Sequence, residues 1–166
     1  MTKTPHTPPC GTAALIVAAG RGTRAGAGLP KQWRPLAGRR VADWTIAAFV
    51  AHPDIDHVLV VTHPEDHAFA KSLDVPTVHG GDTRDASVRA GLEALAPSGF
   101  DKVLIHDVAR AGVSAQVISD VVGALDHTDG AAPALAVTDA LWHGAHQRVT
   151  GTQDREGLYR AQTPQG

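Results

Sequence analysis

Residues 13–24 read AALIVAAGRGTR, an apolar run that leads directly into a glycine-rich loop. An uninterrupted apolar run of this length is typical of a strand buried on both faces of a parallel sheet. The loop carries two cations, Arg21 and Arg24, and Lys31 follows a few residues later. Glycines let backbone N–H groups approach an anion closely, and the cations neutralise it. The stretch therefore predicts a strand that ends in a binding site for a nucleoside triphosphate.

Strand-like and helix-like segments alternate along the rest of the chain. Further strands are predicted at 57–62, 75–78, 102–106 and 131–137, and helices at 41–51, after Pro64, at 83–96 and at 115–125. This alternation predicts an α/β fold with a doubly wound, mostly parallel sheet that is covered by helices on both faces. Ligands of such sheets bind at the carboxyl ends of the strands. The loops at 20–32, 80–82 and 107–110 are expected there.

The length of 166 residues indicates one domain. Residues 1–12 are rich in Thr and Pro and predict a flexible tail, so the nucleotide-binding domain is expected to span 13–166. The strand–helix pattern weakens after position 138, and residues 138–166 predict an extended arm.

Composition excludes several classes of partner. The formal net charge is −2, without a basic stripe, so no nucleic-acid partner is expected. No apolar run reaches the roughly 18 residues of a transmembrane helix, so no membrane partner is expected. Cys10 is the single cysteine, which excludes an internal disulfide and fits a cytoplasmic location.

The glycine pattern at 20–25 also fits G-x-G-x-x-A, so a dinucleotide-binding domain of an NAD-type oxidoreductase is an alternative. Gly26, Gly28 and Pro30 would interrupt the helix that such a loop must start. A P-loop is excluded because no G-K-[S/T] is present. A glycine-rich turn without chemistry is a further alternative, against which the three cations argue.

Four sequence blocks, in order, carry a resemblance to a known family. They are Ala18-Ala19-Gly20-x-Gly22-x-Arg24 with Pro30-Lys31-Gln32, then Gly80-Gly81-Asp82-x-Arg84-x-x-Ser87, then His106-Asp107-x-Ala109-Arg110, and finally Asp154-Arg155-x-Gly157-Leu158 with Ala161-Gln162-Thr163-Pro164-Gln165. The first block resembles the sugar-nucleotide pyrophosphorylases. Together the blocks resemble the 2-C-methyl-D-erythritol 4-phosphate cytidylyltransferases of the non-mevalonate route to isoprenoids. The resemblance implies a Rossmann-like nucleotidyltransferase that moves a cytidylyl group from CTP to the sugar-alcohol phosphate and releases pyrophosphate.

The resemblance also implies roles for individual residues. The implied catalytic residues are Arg24, Lys31 and Arg155. The implied nucleotide-binding residues are Ala18, Ala19, Gly20, Gly22, Gly81, Asp82, Ser87 and Asp107, and Arg110, Asp139 and Arg155 are the implied substrate-binding residues. Asp107 is also expected near Mg²⁺, the implied cofactor. Charge that accumulates on the oxygens around the α-phosphorus is expected to be neutralised by Arg24 and Lys31.

Several of these assignments have plainer alternatives. Asp82 is a candidate cap for the helix that begins near Thr83, Asp107 and Arg110 are a candidate structural ion pair, and Arg155 is a candidate solvated loop residue. The histidine pairs 63/67 and 143/146 have helical or turn spacing, but surface positions are favoured over metal ligation because neither has a further ligand.

The resemblance further implies a homodimer, because in the family Arg155 comes from an arm that crosses to the partner subunit. Ala140 stands where the family has a hydroxyl near the substrate phosphate, which favours ribitol phosphate as a rival substrate. Family members continue beyond position 166 and include a further lysine. We therefore expect the front part of a longer protein, such as one fused to a cyclodiphosphate synthase domain, and a CTP-binding fragment without catalysis is an alternative.

Overall fold

The computed structural model describes residues 11–21 and 28–166. Ten strands and four α-helices occur in these residues: β1 (Thr12–Ala18), β2 (Pro35–Leu36), β3 (Arg39–Arg40), α1 (Val41–Val50), β4 (His57–Thr62), α2 (His67–Ala70), β5 (Thr77–His79), α3 (Arg84–Leu95), β6 (Lys102–Asp107), α4 (Ala115–Ala124), β7 (Ala134–Ala136), β8 (Leu141–Ala145), β9 (Arg148–Gln153) and β10 (Tyr159–Ala161). One-turn 3₁₀ helices lie at Lys31–Trp33, Pro64–Asp66 and Ala96–Ser98.

The core is a four-stranded sheet with the order β5-β4-β1-β6. All three neighbouring pairs are parallel, and Leu15 of β1 lies opposite Leu59 of β4 and Ile105 of β6. Parallel strands must be joined by crossovers, and the helices between the strands provide them. β1 is central and its first five residues are buried. The strand predicted from the apolar run that begins at Ala13 is therefore present, and it starts one residue earlier, at Thr12.

Helices cover both faces of the sheet. On one face Ile16 packs in a cluster with Phe49 of α1 and Ile118 of α4. On the other face Leu15 packs in a cluster with Leu95 of α3. Because neighbouring strand residues point to opposite faces, the continuous apolar run of β1 supplies both clusters. The predicted doubly wound α/β fold is confirmed.

The helices begin and end close to their predicted positions. Ser114 caps α4, since its side chain accepts a hydrogen bond from the Val117 backbone N–H. The helix predicted after Pro64 is short, a 3₁₀ turn followed by the four residues of α2. The longest helix is α3, with 12 residues. None of the helices in the described part of the chain has the length and apolar character needed to cross a membrane.

The C-terminal quarter differs from the parallel pattern. The strand predicted at 131–137 is shortened to β7, and it pairs antiparallel with β10 instead of joining the central sheet. β8 and β9 form a separate hairpin. Gln165 then pairs with Ile105 of β6 through two backbone hydrogen bonds of 2.9 and 2.7 Å. The segment predicted as an arm thus leaves the sheet and returns to its edge.

Candidate active site

A cavity of about 720 Å³ opens at the carboxyl ends of the parallel strands. Nine residues predicted for the site line it: Ala18, Ala19, Gly20, Lys31, Gly81, Asp82, Ser87, Asp107 and Arg110. They come from the end of β1 and the loop after it, from the loop before α3 and the first turns of that helix, and from the end of β6 with the loop that follows. Gly22 and Arg24, also predicted for the site, lie outside the described residues. The first three sequence blocks, which are separated along the chain, therefore meet at the carboxyl ends of the strands.

Gln32 fixes the two ends of the loop after β1. Its side chain is 1% exposed, and Nε2 donates hydrogen bonds to the carbonyl oxygens of Ala18, at 2.9 Å, and Gly20, at 3.1 Å. Both amide hydrogens are thereby used, which satisfies a buried polar group. Lys31 precedes Gln32 in the same 3₁₀ turn and is exposed at the cavity. Gln32 stands in the first sequence block, but its role depends on contacts that the sequence does not show.

Arg21 does not behave as a free cation. Its guanidinium pairs with the carboxylates of Asp66, at 3.2 Å, and Glu65. Arg21 lines the cavity, so the expectation that it helps to neutralise a bound anion stays a prediction, although two carboxylates of the protein already compensate its charge. Lys31, in contrast, forms no ion pair with any described residue.

The loop before α3 packs tightly against the helix. A Cβ atom on Gly80 would lie 2.6 Å from Ser87 Oγ and 2.8 Å from the Cβ of Ala19, so glycine is required there. Ser87 Oγ lies 2.9 Å from the carbonyl oxygen of Thr83 and 3.1 Å from that of Gly81. These contacts fix the wall of the cavity that contains Gly81 and Ser87.

Asp82 does not cap α3. The cap is Thr83, whose Oγ1 accepts a hydrogen bond of 3.1 Å from the backbone N–H of Ala86. The alternative that gave Asp82 only a capping role is therefore wrong. The carboxylate of Asp82 is exposed at the cavity, where it is available to a ligand.

Asp107 lies between two arginines at the end of β6. Its Oδ1 is 3.1 Å from Nη2 of Arg84, and its Oδ2 is 3.4 Å from Nε of Arg110. The ion pair between Asp107 and Arg110, left open by the sequence, is thus present. Arg84 was not assigned a role, although it stands in the second sequence block. Because the Asp107 side chain is still one-third exposed, both arginines and a ligand have access to it.

The buried side chain of His106 connects this end of β6 to the segments packed against it. The side chain is fully buried, and burial lowers its pKa from 6.5 to about 4, so the ring is neutral at physiological pH. Nδ1 lies 3.0 Å from Oγ1 of Thr163, and Nε2 lies 3.3 Å from the carbonyl oxygen of Arg110. The Arg110 guanidinium also donates to the Gln162 side chain. The returning segment therefore helps to hold the cavity wall. Gln162 and Thr163 stand in the fourth sequence block, but the sequence does not indicate this role.

Asp139 and Arg155 are not among the residues that line the cavity. Both are exposed, and the Arg155 guanidinium donates a hydrogen bond to the backbone carbonyl of Thr138 within the arm. Asp139 and Arg155 thus lie away from the cavity of their own chain, whereas residues of the first three sequence blocks line it.

Comparison with known proteins identifies the family. A sequence profile described as 2-C-methyl-D-erythritol 4-phosphate cytidylyltransferase matches residues 12–166. The chain belongs to this family. The resemblance carried by the four sequence blocks is thereby confirmed.

Individual relatives agree with this assignment. The chain is 62% identical over 158 residues to a bifunctional enzyme IspD/IspF of Ruegeria pomeroyi, covering 93% of this chain and 42% of the relative. It is 57% identical over 160 residues to a 2-C-methyl-D-erythritol 4-phosphate cytidylyltransferase of Cereibacter sphaeroides, covering 93% of this chain and 71% of the relative. The chain therefore spans less than half of the bifunctional relative.

Solved structures of cytidylyltransferases share the fold. The crystal structure of the 2-C-methyl-D-erythritol 4-phosphate cytidylyltransferase from Thermus thermophilus superposes with a TM-score of 0.77 at 35% identity, covering 94% of this chain and 70% of that one. The bifunctional IspDF structure from Campylobacter jejuni gives a TM-score of 0.77 at 25% identity, covering 94% of this chain and 40% of that one.

Proposed function

We propose that this domain transfers the cytidylyl group of CTP to 2-C-methyl-D-erythritol 4-phosphate and releases pyrophosphate, as a step of non-mevalonate isoprenoid biosynthesis. The observation that carries the proposal is the meeting of Lys31, Asp82, Ser87 and Asp107 at one cavity. The family of the chain and its relatives support the choice of CTP and of the sugar-alcohol phosphate.

The loop before α3 is proposed to select cytosine. The Asp82 carboxylate is an acceptor for the exocyclic amino group, which uracil lacks. Gly81 and Ser87 form the adjoining wall, which is rigid because α3 holds it. A site built to accept a hydrogen bond rejects a base that cannot donate one, because its acceptor is left unpaired.

In the chemical step a phosphate oxygen of the substrate attacks the α-phosphorus in line. A new P–O bond forms as the bond from the α-phosphorus to the pyrophosphate oxygen breaks, and the electron pair leaves with pyrophosphate. Negative charge shifts to the leaving oxygens and is neutralised by Lys31, together with Arg24. Lys31 suits this role because its ammonium is exposed at the cavity and has no ion-pair partner among the described residues.

The donor set at the cavity is compatible with Mg²⁺. No group of three or more His, Cys, Asp or Glu side chains capable of holding a metal occurs within residues 11–21 and 28–166. The Asp107 carboxylate on the cavity wall fits a cation that takes one carboxylate, phosphate oxygens and water. When bound there, Mg²⁺ would neutralise triphosphate oxygens and assist departure of pyrophosphate.

The proposal includes a homodimer in which the arm brings Arg155 and Asp139 to the cavity of the partner subunit. Support comes from the arm itself, where Trp142 and Tyr159 are each 66% exposed and Val149 is 58% exposed. Large apolar side chains that cluster on one surface segment indicate an interaction site. Sedimentation equilibrium is expected to give twice the monomer mass, and a monomer at all concentrations would contradict the dimer. The cytoplasmic location stays a prediction.

Nucleotide and substrate assays test the function. Calorimetry is expected to show CTP binding with at least tenfold preference over UTP and no binding of NAD. Pyrophosphate release is expected with methylerythritol phosphate and to be slower with ribitol phosphate. Faster release with ribitol phosphate would overturn the choice of substrate and point to Ala140 as its cause. CTP binding without any turnover would indicate a nucleotide-binding module.

A further inference from the structure

Asp66 is a buried carboxylate outside the predicted site. It lies in the 3₁₀ turn after β4, and its side chain is 5% exposed. Oδ2 accepts a hydrogen bond of 2.9 Å from the Trp33 indole N–H, and Oδ1 accepts one of 3.2 Å from Nη1 of Arg21. A buried charge is costly unless it is paired and hydrogen-bonded, and both conditions are met here. The arrangement therefore defines one orientation for both of its partners.

Trp33 is held as firmly as Asp66. Its side chain is 2% exposed, and its ring stacks on Phe69 of α2 with a centroid distance of 4.9 Å and an angle of 6°. The guanidinium carbon of Arg40 lies over the indole ring, 5.9 Å from the ring centroid. The indole N–H is thus the polar end of a packed aromatic side chain, which is the usual way that a buried tryptophan is satisfied.

The two partners of Asp66 lie at opposite ends of the loop that carries the cations. Arg21 follows Gly20 directly, and Trp33 ends the same 3₁₀ turn that begins at Lys31. Gln32, between them, is bound to the carbonyl oxygens of β1 and Gly20. Lys31 is therefore the exposed residue of a turn whose other two side chains are both tethered.

We propose that Asp66, acting through the Trp33 indole N–H, is a positioning residue that holds the Lys31 ammonium in place for the chemical step. The inference rests on the proposed function, because Lys31 matters only if the cavity takes a triphosphate. Fixing a charged group before the reaction removes the cost of reorienting it as charge develops. Asp66 itself is not among the described residues that line the cavity.

The variant Trp33→Phe tests this role. Phenylalanine keeps an aromatic ring against Phe69 but loses the indole N–H that donates to Asp66 and part of the buried ring system, so the control must lose the same atoms. The matched control is Trp44→Phe, because Trp44 Nε1 also donates one hydrogen bond, of 2.8 Å, to the carbonyl oxygen of Leu36. Each change is made in the parent chain and in Lys31→Ala. For all proteins kcat of pyrophosphate release, CTP affinity by calorimetry and the thermal midpoint are measured.

We expect Trp33→Phe to lower kcat about tenfold in the parent chain, with CTP affinity within about threefold, because the loss is in preorganisation. In Lys31→Ala the same change is expected to lower kcat less than twofold, since the positioned group is already absent. Trp44→Phe is expected to keep the parent kcat. A second variant, Asp66→Ala, is expected to repeat the Trp33→Phe pattern, because it removes the carboxylate that accepts the indole hydrogen bond.

Two results would overturn this inference and leave the proposed function unaffected. One is a kcat of Trp33→Phe within twofold of the parent, and the other is an equal loss of kcat with and without Lys31, which would indicate a merely structural effect. A parent protein that releases no pyrophosphate from CTP would instead overturn the proposed function, and this inference with it.

Discussion

The ion pair between Arg84 and Asp107 joins the start of α3 to the end of β6, with Nη2 and Oδ1 3.1 Å apart. Both side chains line the cavity, and both are partly exposed. Exposed ion pairs contribute little to folding stability. The pair therefore affects the charge of the cavity more than the stability of the fold, because Arg84 occupies an Asp107 oxygen that a bound cation would use.

Replacing Arg84 by alanine is expected to make Asp107 more available to Mg²⁺. The half-saturating Mg²⁺ concentration for CTP binding should fall about threefold, which corresponds to the roughly 0.2–1 kcal/mol of a partly exposed ion pair. Calorimetric titration of CTP at a series of Mg²⁺ concentrations measures this. Arg89→Ala is the control, because Arg89 forms an exposed pair with Glu93 on the same helix. A higher Mg²⁺ requirement in the Arg84 variant would contradict the prediction.

Gly91 is expected to be required for packing of α3 on the sheet. A Cβ atom there would lie 2.3 Å from Cδ1 of Leu15 and 2.9 Å from Cγ2 of Val61, and both of these residues are fully buried. Gly91→Ala should therefore lower the free energy of unfolding by about 1–3 kcal/mol, the usual cost of overpacking. Urea denaturation measures the change.

The control for this prediction is Gly123→Ala in α4. Gly123 has no atom within 4 Å of a Cβ position, so alanine should raise the free energy of unfolding by about 0.5–1 kcal/mol through its helix propensity. If both variants were stabilised, α3 would not approach the sheet as closely as the structure shows.

His106 is expected to make stability depend on pH. The pKa of His106 is about 4 in the folded chain, below its ordinary value of 6.5. As the pH falls, the unfolded chain therefore binds the proton first. The contribution of the neutral His106 ring to the free energy of unfolding is therefore fully present above about pH 6.5. It is lost as the pH falls towards 4. The total is about 3 kcal/mol, since one pKa unit corresponds to about 1.4 kcal/mol.

Urea denaturation near pH 7 and near pH 4 tests this, with His106→Gln as the comparison. The parent should lose about 3 kcal/mol more than the variant between the two conditions, because glutamine does not titrate. Equal losses in the two proteins would contradict the prediction, because they would show that the pKa of His106 is the same in the folded and unfolded chains.

The central sheet could be predicted from local sequence because its strands are continuous apolar runs. The strand at 57–62 was predicted with its observed limits, and β6 extends only one residue beyond the prediction. β7 was predicted as a strand, but its partner was not, because pairing with β10 depends on residues more than 20 positions away. Local patterns identify strands more reliably than they identify neighbours.

The cavity could be predicted from the order of the blocks, but its internal contacts could not. Asp66 is 33 residues from Trp33 and 45 residues from Arg21, and no spacing rule links them. For the same reason Arg21 was counted as a free cation. Arg84 shows the opposite: it stands in the second sequence block, yet its role could not be predicted from the sequence.

The most direct test of the account compares Lys31→Ala with the parent protein in single-turnover kinetics and CTP calorimetry, with Lys71→Ala, an exposed lysine outside the cavity, as the control. The account predicts that the rate of cytidylyl transfer falls by about 10²–10³, as when one preorganised charge-stabilising group is lost, while CTP affinity changes less than about fivefold. A transfer rate that stays within threefold of the parent, or that falls only in proportion to CTP affinity, would contradict it.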